Sequence, residues 1–228
     1  VTATDNSGLS ASDSIIINYH TSVLAGFVVT SEDVLLTTED GGRDSLTVRL
    51  RSEPTDEVLL PLAVDDSTEG VLTVPVIIGG QVIAGVNVSI DTLRFDPTNW
   101  AIEQMVHVTG INDQVVDENT TYSIVLGSAI SSDLNYHGMD PADIPVVNSD
   151  DDEAGIFVYP LENLFVDELK ANVQINVQLE SQPTAPVFIP VDVSDANEGS
   201  INTYELIFEP DEWETVQFFT VSGVPDFT

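Results

Sequence analysis

Phe95-Asp96-Pro97-Thr98-Asn99-Trp100 is followed by Val106-His107-Val108-Thr109-Gly110-Ile111-Asn112-Asp113. Both segments return later as Phe208-Glu209-Pro210-Asp211-Glu212-Trp213 and Val221-Ser222-Gly223-Val224-Pro225-Asp226. Phe95, Pro97, Trp100, Gly110 and Asp113 pair with Phe208, Pro210, Trp213, Gly223 and Asp226 at a constant spacing of 113. Upstream, Gly26, Glu39, Pro54, Pro61, Asp66, Glu69 and Gly70 pair with Gly155, Glu168, Pro183, Pro190, Asp195, Glu198 and Gly199 at a spacing of 129. So many matches at fixed distance make an internal repeat. The sixteen residues by which 129 exceeds 113 are an insertion in the first copy, and they fall within 71–90.

Inside each copy the apolar residues recur at every second position. Leu46, Val48 and Leu50 alternate with polar residues, as do Val173, Ile175, Val177 and Leu179; this is the pattern of strands with one buried face. Residues 58–62 and 187–191 are short apolar runs bounded by turn formers. Pro61 and Pro190 within them predict an edge or a bulge, because proline donates no ladder hydrogen bond. No stretch sustains a helical period. Short strands at turn-bounded intervals predict an all-β fold of tandem antiparallel sandwiches with little or no helix. In the insertion, Leu72, Val74, Val76 and Ile78 precede Gly79-Gly80, and Val82, Ala84, Val86, Val88 and Ile90 follow it. That pattern predicts a hairpin with one apolar face, which must cover either its own domain or another chain.

Residues 1–4 and 14–19 read as two further β runs around the turn formers Asp5-Asn6-Ser7-Gly8. A lone hairpin is marginal in water, so 1–22 is expected to close a preceding sandwich. Residues 23–153 then form the first repeat sandwich with its inserted hairpin 71–90. Residues 154–228 form a second, expected to be incomplete at its C-terminal end because it lacks counterparts of 122–126 and 144–147. Both ends read as cut from a longer chain.

Composition narrows the function. Hydrophobic residues make up 42% of the 228, enough for real cores. Asp and Glu number 39 against 5 Lys and Arg, a formal net charge of −34. Self-repulsion on that scale disfavours the compact state unless salt or bound cations offset it. Nucleic acid and anionic membranes need a basic face and are poor partners. There is no Cys, so disulfides and thiolate metal sites are excluded. No apolar run is long enough to cross a bilayer as a helix.

Between the copies lies Asn148-Ser149-Asp150-Asp151-Asp152-Glu153. Consecutive carboxylates repel one another, so such a run is a solvated linker or a cation site. In an extended chain Asp150 and Asp152 face one way and Asp151 the other. One short hinge would thus offer oxygens to both neighbouring bodies.

The stretch 23–228 resembles tandem Calx-β-like repeats, in the form found in large bacterial surface proteins. The resemblance rests on the Phe95–Trp100 and Phe208–Trp213 segments, on the Gly and Asp turns after them, and on Asp117-Glu118 and Tyr122-Ser123-Ile124-Val125-Leu126. The first nineteen residues are similar to the last hairpin of a cadherin-like or Ig-like repeat. The resemblance implies Ig-like, Greek-key sandwiches and Ca2+ held by acidic loop residues at one end. By position those are Glu39, Asp66, Asp113, Asp117, Asp150, Asp151 and Asp152 in the first copy, and Glu168, Asp195 and Asp226 in the second. Asn112 stands where Asp is common and offers a neutral amide oxygen. Asp5 and Asp13 are either ligands by the same analogy or turn formers.

The function so implied is a non-enzymatic extracellular module, secreted or on a bacterial-type cell surface, within a long fibre or adhesin. Calcium would neutralise like charges and stiffen the junction between copies, and the partners are calcium ions and adjacent repeats. The rival reading is a filament subunit that uses strand donation from 12–19, or the 71–90 hairpin, for contacts between chains. Catalysis finds no support. His20, His107 and His137 are isolated, and there is neither a nucleophile elbow nor a phosphate-cradling glycine loop. Trp100 and Trp213, at equivalent positions, read as packing residues rather than a carbohydrate platform.

Overall fold

A computed structural model describes residues 2–4, 10–12, 24–78, 81–162, 164–167 and 171–225, and among them every regular element is a strand. β1 (Thr2–Thr4) pairs antiparallel with β2 (Ser10–Ser12). The partner expected for the first run, 14–19, lies outside the described residues. Pairing with the nearer segment closes a shorter loop at lower entropic cost.

The first repeat contributes β3 (Phe27–Thr30), β4 (Leu35–Thr38), β5 (Arg43–Leu50), β6 (Val58–Val64), β7 (Gly70–Ile78) and β8 (Gln81–Ser89). It continues with β9 (Thr92–Phe95), β10 (Gln104–Gly110), β11 (Thr120–Leu126), β12 (Ile130–Ser131) and β13 (Ile144–Ser149). One sheet runs β3-β5-β10-β7-β8; the other runs β12-β6-β11-β13-β4, with β9 also on β6. The second repeat contributes β14 (Ile156–Tyr159), β15 (Asn172–Leu179), β16 (Val187–Pro190), β17 (Gly199–Ile201), β18 (Glu205–Phe208) and β19 (Gln217–Gly223). Its sheets are β14-β15-β19-β17 and β16-β18.

The alternating positions do what their period requires. Leu46, Val48 and Leu50 of β5 meet Val58, Leu60, Leu93, Phe95, Ile124, Leu126 and Val146 of the other sheet in one buried core. Phe27 closes it with edge-to-face contacts to Phe95 and Tyr136. The Tyr136 hydroxyl donates to the Ser52 carbonyl (2.6 Å), so the loop after β12 is pinned as part of the wall. In the second sandwich Val177, Leu179, Leu206, Phe208 and Trp213 form a smaller cluster. The segment Asp96–Asn99 is a turn in which Asp96 Oδ1 accepts from Thr98 N and Asn99 N; Asp is suited to this by its short acceptor side chain.

The structure refines one expectation and meets another. The sandwiches are not wholly antiparallel, because β4 and β13 pair in parallel, from Leu35 opposite Val146 to Thr38 opposite Ser149. β4 follows β3 into the opposite sheet after only four residues, and the closing strand then lies beside it running the same way. Of the edge or bulge expected at Pro61, the structure has the bulge, since β6 is not an edge strand. Leu62 N points to Asp91 O on the β9 side, so Pro61, one residue earlier, points the other way. There its carbonyl accepts from Gly127 N, in the break between β11 and β12. The missing N–H falls at that bulge and interrupts no ladder.

The inserted hairpin forms as β7 and β8, with an irregularity between Pro75 and Ile77; its Gly79-Gly80 turn lies outside the described residues. Leu72, Val74 and Ile90 pack on the core of their own sandwich, while Val88 is half exposed.

Candidate metal centre

The parallel pair builds the site. Because β4 and β13 run the same way, the residues that follow them, Glu39 and Asp150, leave the sheet at the same end. Glu39 N donates to Ser149 O (3.1 Å), which continues the register one step beyond the ladder. Asp152 N then donates to Asp150 Oδ1 (2.9 Å). This turn brings Asp152 back toward Glu39. Asp150 and Asp152 thus share a side as the alternation predicts, but through a turn rather than an extended chain. One carboxylate oxygen from each of Glu39, Asp150 and Asp152 lies within 4.8 Å of the other two.

A third segment closes in from the end of β10. A Cβ on Gly110 would collide with the Thr38 carbonyl and with Asn148 Oδ1, so only glycine allows this approach. The loop beyond it carries Asp113 and Asp117. Glu118, in the left-handed region at φ 65°, donates its amide to Asp150 Oδ2 (3.0 Å). Beneath the carboxylates lies a buried polar layer. Thr37 Oγ1 donates to Asn148 Oδ1 (2.9 Å), and Asn148 Nδ2 donates to Glu69 Oε2 and the Ile111 carbonyl (3.2 Å each).

The electrostatics are one-sided. Burial, followed by the charges of Asp113, Asp150, Asp117 and Asp152, pushes Glu39 up to about 7. Burial first and neighbouring carboxylates second also raise Asp117 and Asp152. Burial raises Glu69 despite its hydrogen bond from Asn148. Among the described residues the ion pairs are Arg49 with Glu103 and Arg94 with Glu57, neither of which involves the cluster. Glu39 Oε2 and Asp152 Oδ2 are buried with no hydrogen-bond partner. Buried carboxylates in this state require either protons or a cation from outside. The donor set is all oxygen, the set that hard divalent cations take.

The other sequence candidates lie elsewhere. Asp66 sits in the exposed β6–β7 turn, where the Thr68 hydroxyl and then its amide hold the carboxyl below its usual range. Asp195 makes the equivalent turn with Asn197 (2.9 Å). Asp151 is exposed, is not one of the three clustered carboxylates, and lines with Asp152 a cleft that includes Gln114, Glu180 and Trp213. Glu168 and Asp226, like Asp5 and Asp13, lie outside the described residues. Glu69 is a member of the site that the sequence reading passed over, although the repeat had already marked it through its match with Glu198.

The loop between Asp113 and Asp117 also touches the second sandwich. Gln182 N donates to Gln114 O (2.6 Å), and Val115 forms an isolated parallel bridge with Gln182. Val116 lines a cleft with Ile156, Leu179 and Pro183.

No protein-family model and no curated protein sequence matches this chain. Solved structures similar to it include the crystal structure of CBD12 from CALX1.2, at 16% identity and a TM-score of 0.31, covering 86% of this chain and 74% of that one. The apo-form Calx CBD1 domain is similar at 20% identity and a TM-score of 0.35, over 55% of this chain and 98% of that one. The E. coli chaperone DraB is similar at 8% identity and a TM-score of 0.34, over 90% and 89%. Likenesses at these scores carry no weight for the site, which stands on its own carboxylates.

Proposed function

We propose that the chain is a non-enzymatic structural module whose first sandwich, 23–153, binds a divalent cation, Ca2+, at the junction with the second, 154–228. Glu39, Asp150 and Asp152 would hold the ion, with Asp113 and Asp117 completing the negative shell. The supporting observation is the pair of buried, unpartnered oxygens on Glu39 and Asp152, in a cluster that makes no ion pair with a basic side chain among the described residues. When bound, the ion neutralises like charges that otherwise force some of these groups to keep a proton.

The loop from Asp113 to Asp117 supplies two of these carboxylates and also the backbone contact to Gln182. Fixing the loop and the Asp150–Asp152 linker together removes freedom from both connections between the sandwiches. A tandem β segment stiffened by calcium suits an extracellular fibre or surface protein, with 1–22 closing a preceding domain. Isothermal titration of Ca2+ against the chain and its Glu39→Gln variant tests this reading, with Mg2+ as the competing ion. Binding by the parent that is lost in the variant is the expected result. Equal heats for both proteins would sink the assignment.

A further inference from the structure

The outer face of the sheet β14-β15-β19-β17 carries side chains that its counterpart in the first sandwich lacks. Tyr159 stands opposite Asn176, which stands opposite Phe218; Phe157 stands opposite Gln178. Val177 and Leu179 point into the core, so by alternation these residues point out. The opposite sheet packs beyond the core, and this face stays outward whatever joins β16 and β18. Phe157 and Phe218 are 53% and 51% exposed, and the Phe157 and Tyr159 rings lie 5.1 Å apart. Two strand spacings put Tyr159 and Phe218 about 10 Å apart along the sheet. Amides of β15 lie between the rings. Gln174 Nε2 donates to Asn176 Oδ1 (2.7 Å), and Asn176 Nδ2 donates to the Tyr159 carbonyl (3.3 Å), which orients the Asn176 amide. No residue of β14, β15 or β19 is charged. At the equivalent positions the first sandwich has Val28, Thr30 and Met105 in place of the three rings, and Arg49 in place of Gln178.

We infer that this face binds a neutral β-1,4-linked glucan, with its sugar rings on Phe157, Tyr159 and Phe218 and its hydroxyls on Asn176 and Gln178. A pyranose whose substituents are all equatorial presents only C–H groups on its two faces and hydroxyls around its rim. The C–H faces lie on aromatic rings, and the rim hydroxyls pair with amides, which both donate and accept. Amides set between the rings leave no continuous apolar patch of the kind a protein partner buries. Charge selects among sugars. Glu180 and Glu214 stand at the Phe157 end of the face, and the whole chain carries −34, so a uronic acid or sulfated chain is repelled.

The probe is cellohexaose, titrated calorimetrically into the intact chain. Saturable binding is expected, weakened about tenfold or more by Phe218→Ala and by Phe157→Ala, each of which removes one stacking ring. Met105→Ala, at the position in the first sandwich equivalent to Phe218, should leave binding unchanged. An oligogalacturonate of the same length should not bind. That comparison leaves the protein untouched, so it stands even where a phenylalanine variant misfolds. No heat from cellohexaose with the parent chain, unchanged binding in both phenylalanine variants, or equal binding of the uronic acid oligomer would overturn the assignment. So would a concentration-dependent dimer that excludes the sugar and is lost in Phe218→Ala, which would give the face to a second copy.

Discussion

Leu35 and Leu164 occupy equivalent positions in the two sandwiches, yet Leu35 is fully buried and Leu164 is 46% exposed. Their neighbours in sequence are similar; their neighbours in space are not. Leu35 lies on β4 against β13, under Ile124 and Val146. Among the described residues no strand of the second sandwich takes the place of β11 or β13. The same contrast governs the acidic loops. β13 ends in Asn148 and Ser149 and is followed by Asp150; Asn148 and Asp150 turn Glu69 and Glu39 into members of a buried polar site. Glu198, the counterpart of Glu69, is left exposed. Burial at a repeated position is thus conferred by the partner strand, not by the residue.

The sharpest way to break this comparison is to truncate both leucines. Leu35→Ala should cost about 3 kcal/mol, as for other fully buried leucines, and Leu164→Ala less than about 1 kcal/mol. Urea unfolding read by amide exchange at β5 and β15 separates the two bodies, and equal losses would refute the contrast. Calcium comes next. At free Ca2+ one hundred times its dissociation constant, linkage adds about 2.7 kcal/mol to the state that binds it. Scanning calorimetry with calcium and then with chelator should show the shift in the first sandwich's transition.

The pH dependence of the metal-free chain is a smaller effect. Glu39 rises from 4.5 to about 7 on folding, so the folded state holds its proton more tightly than the unfolded one. Stability from this group is therefore present at low pH and lost as pH climbs between those values. The chain without metal should be more stable at pH 5 than at pH 8, by an amount on the order of 1–2 kcal/mol. Glu39→Gln should flatten that slope, and thermal melts across the range would reveal a slope that survives the substitution. Last, Tyr136→Phe keeps the ring under Phe27 but removes the bonds to Ser52. A loss of about 1 kcal/mol is expected from urea midpoints, in the first sandwich alone.

Much of the architecture was readable from spacing. The period-two residues of β5 and β15 are buried as their alternation demands, Val173 at the start of β15 only partly, and the Phe95–Trp100 segment marks the same turn in both repeats. Glu39, Asp113, Asp117, Asp150 and Asp152 were named from position, and the structure brings them to one end. The direction of β13 relative to β4 was not readable, because local pattern is identical for parallel and antiparallel partners more than a hundred residues apart. Glu69 was overlooked for a related reason. A glutamate in a turn-rich stretch looks solvated, and nothing in its own neighbourhood announces that Asn148 will reach it.

The parallel course of β4 and β13 has a consequence for a chain held in tension. Force applied at the leading end of β4 and the trailing end of β13 acts along their shared ladder, from Leu35–Val146 to Thr38–Ser149. Its hydrogen bonds are then loaded in shear and must yield together instead of unzipping singly. A cation gripped by Glu39 and Asp150 would sit at the far end of that ladder as a rivet, joining both strands where the pull leaves the first sandwich for the second.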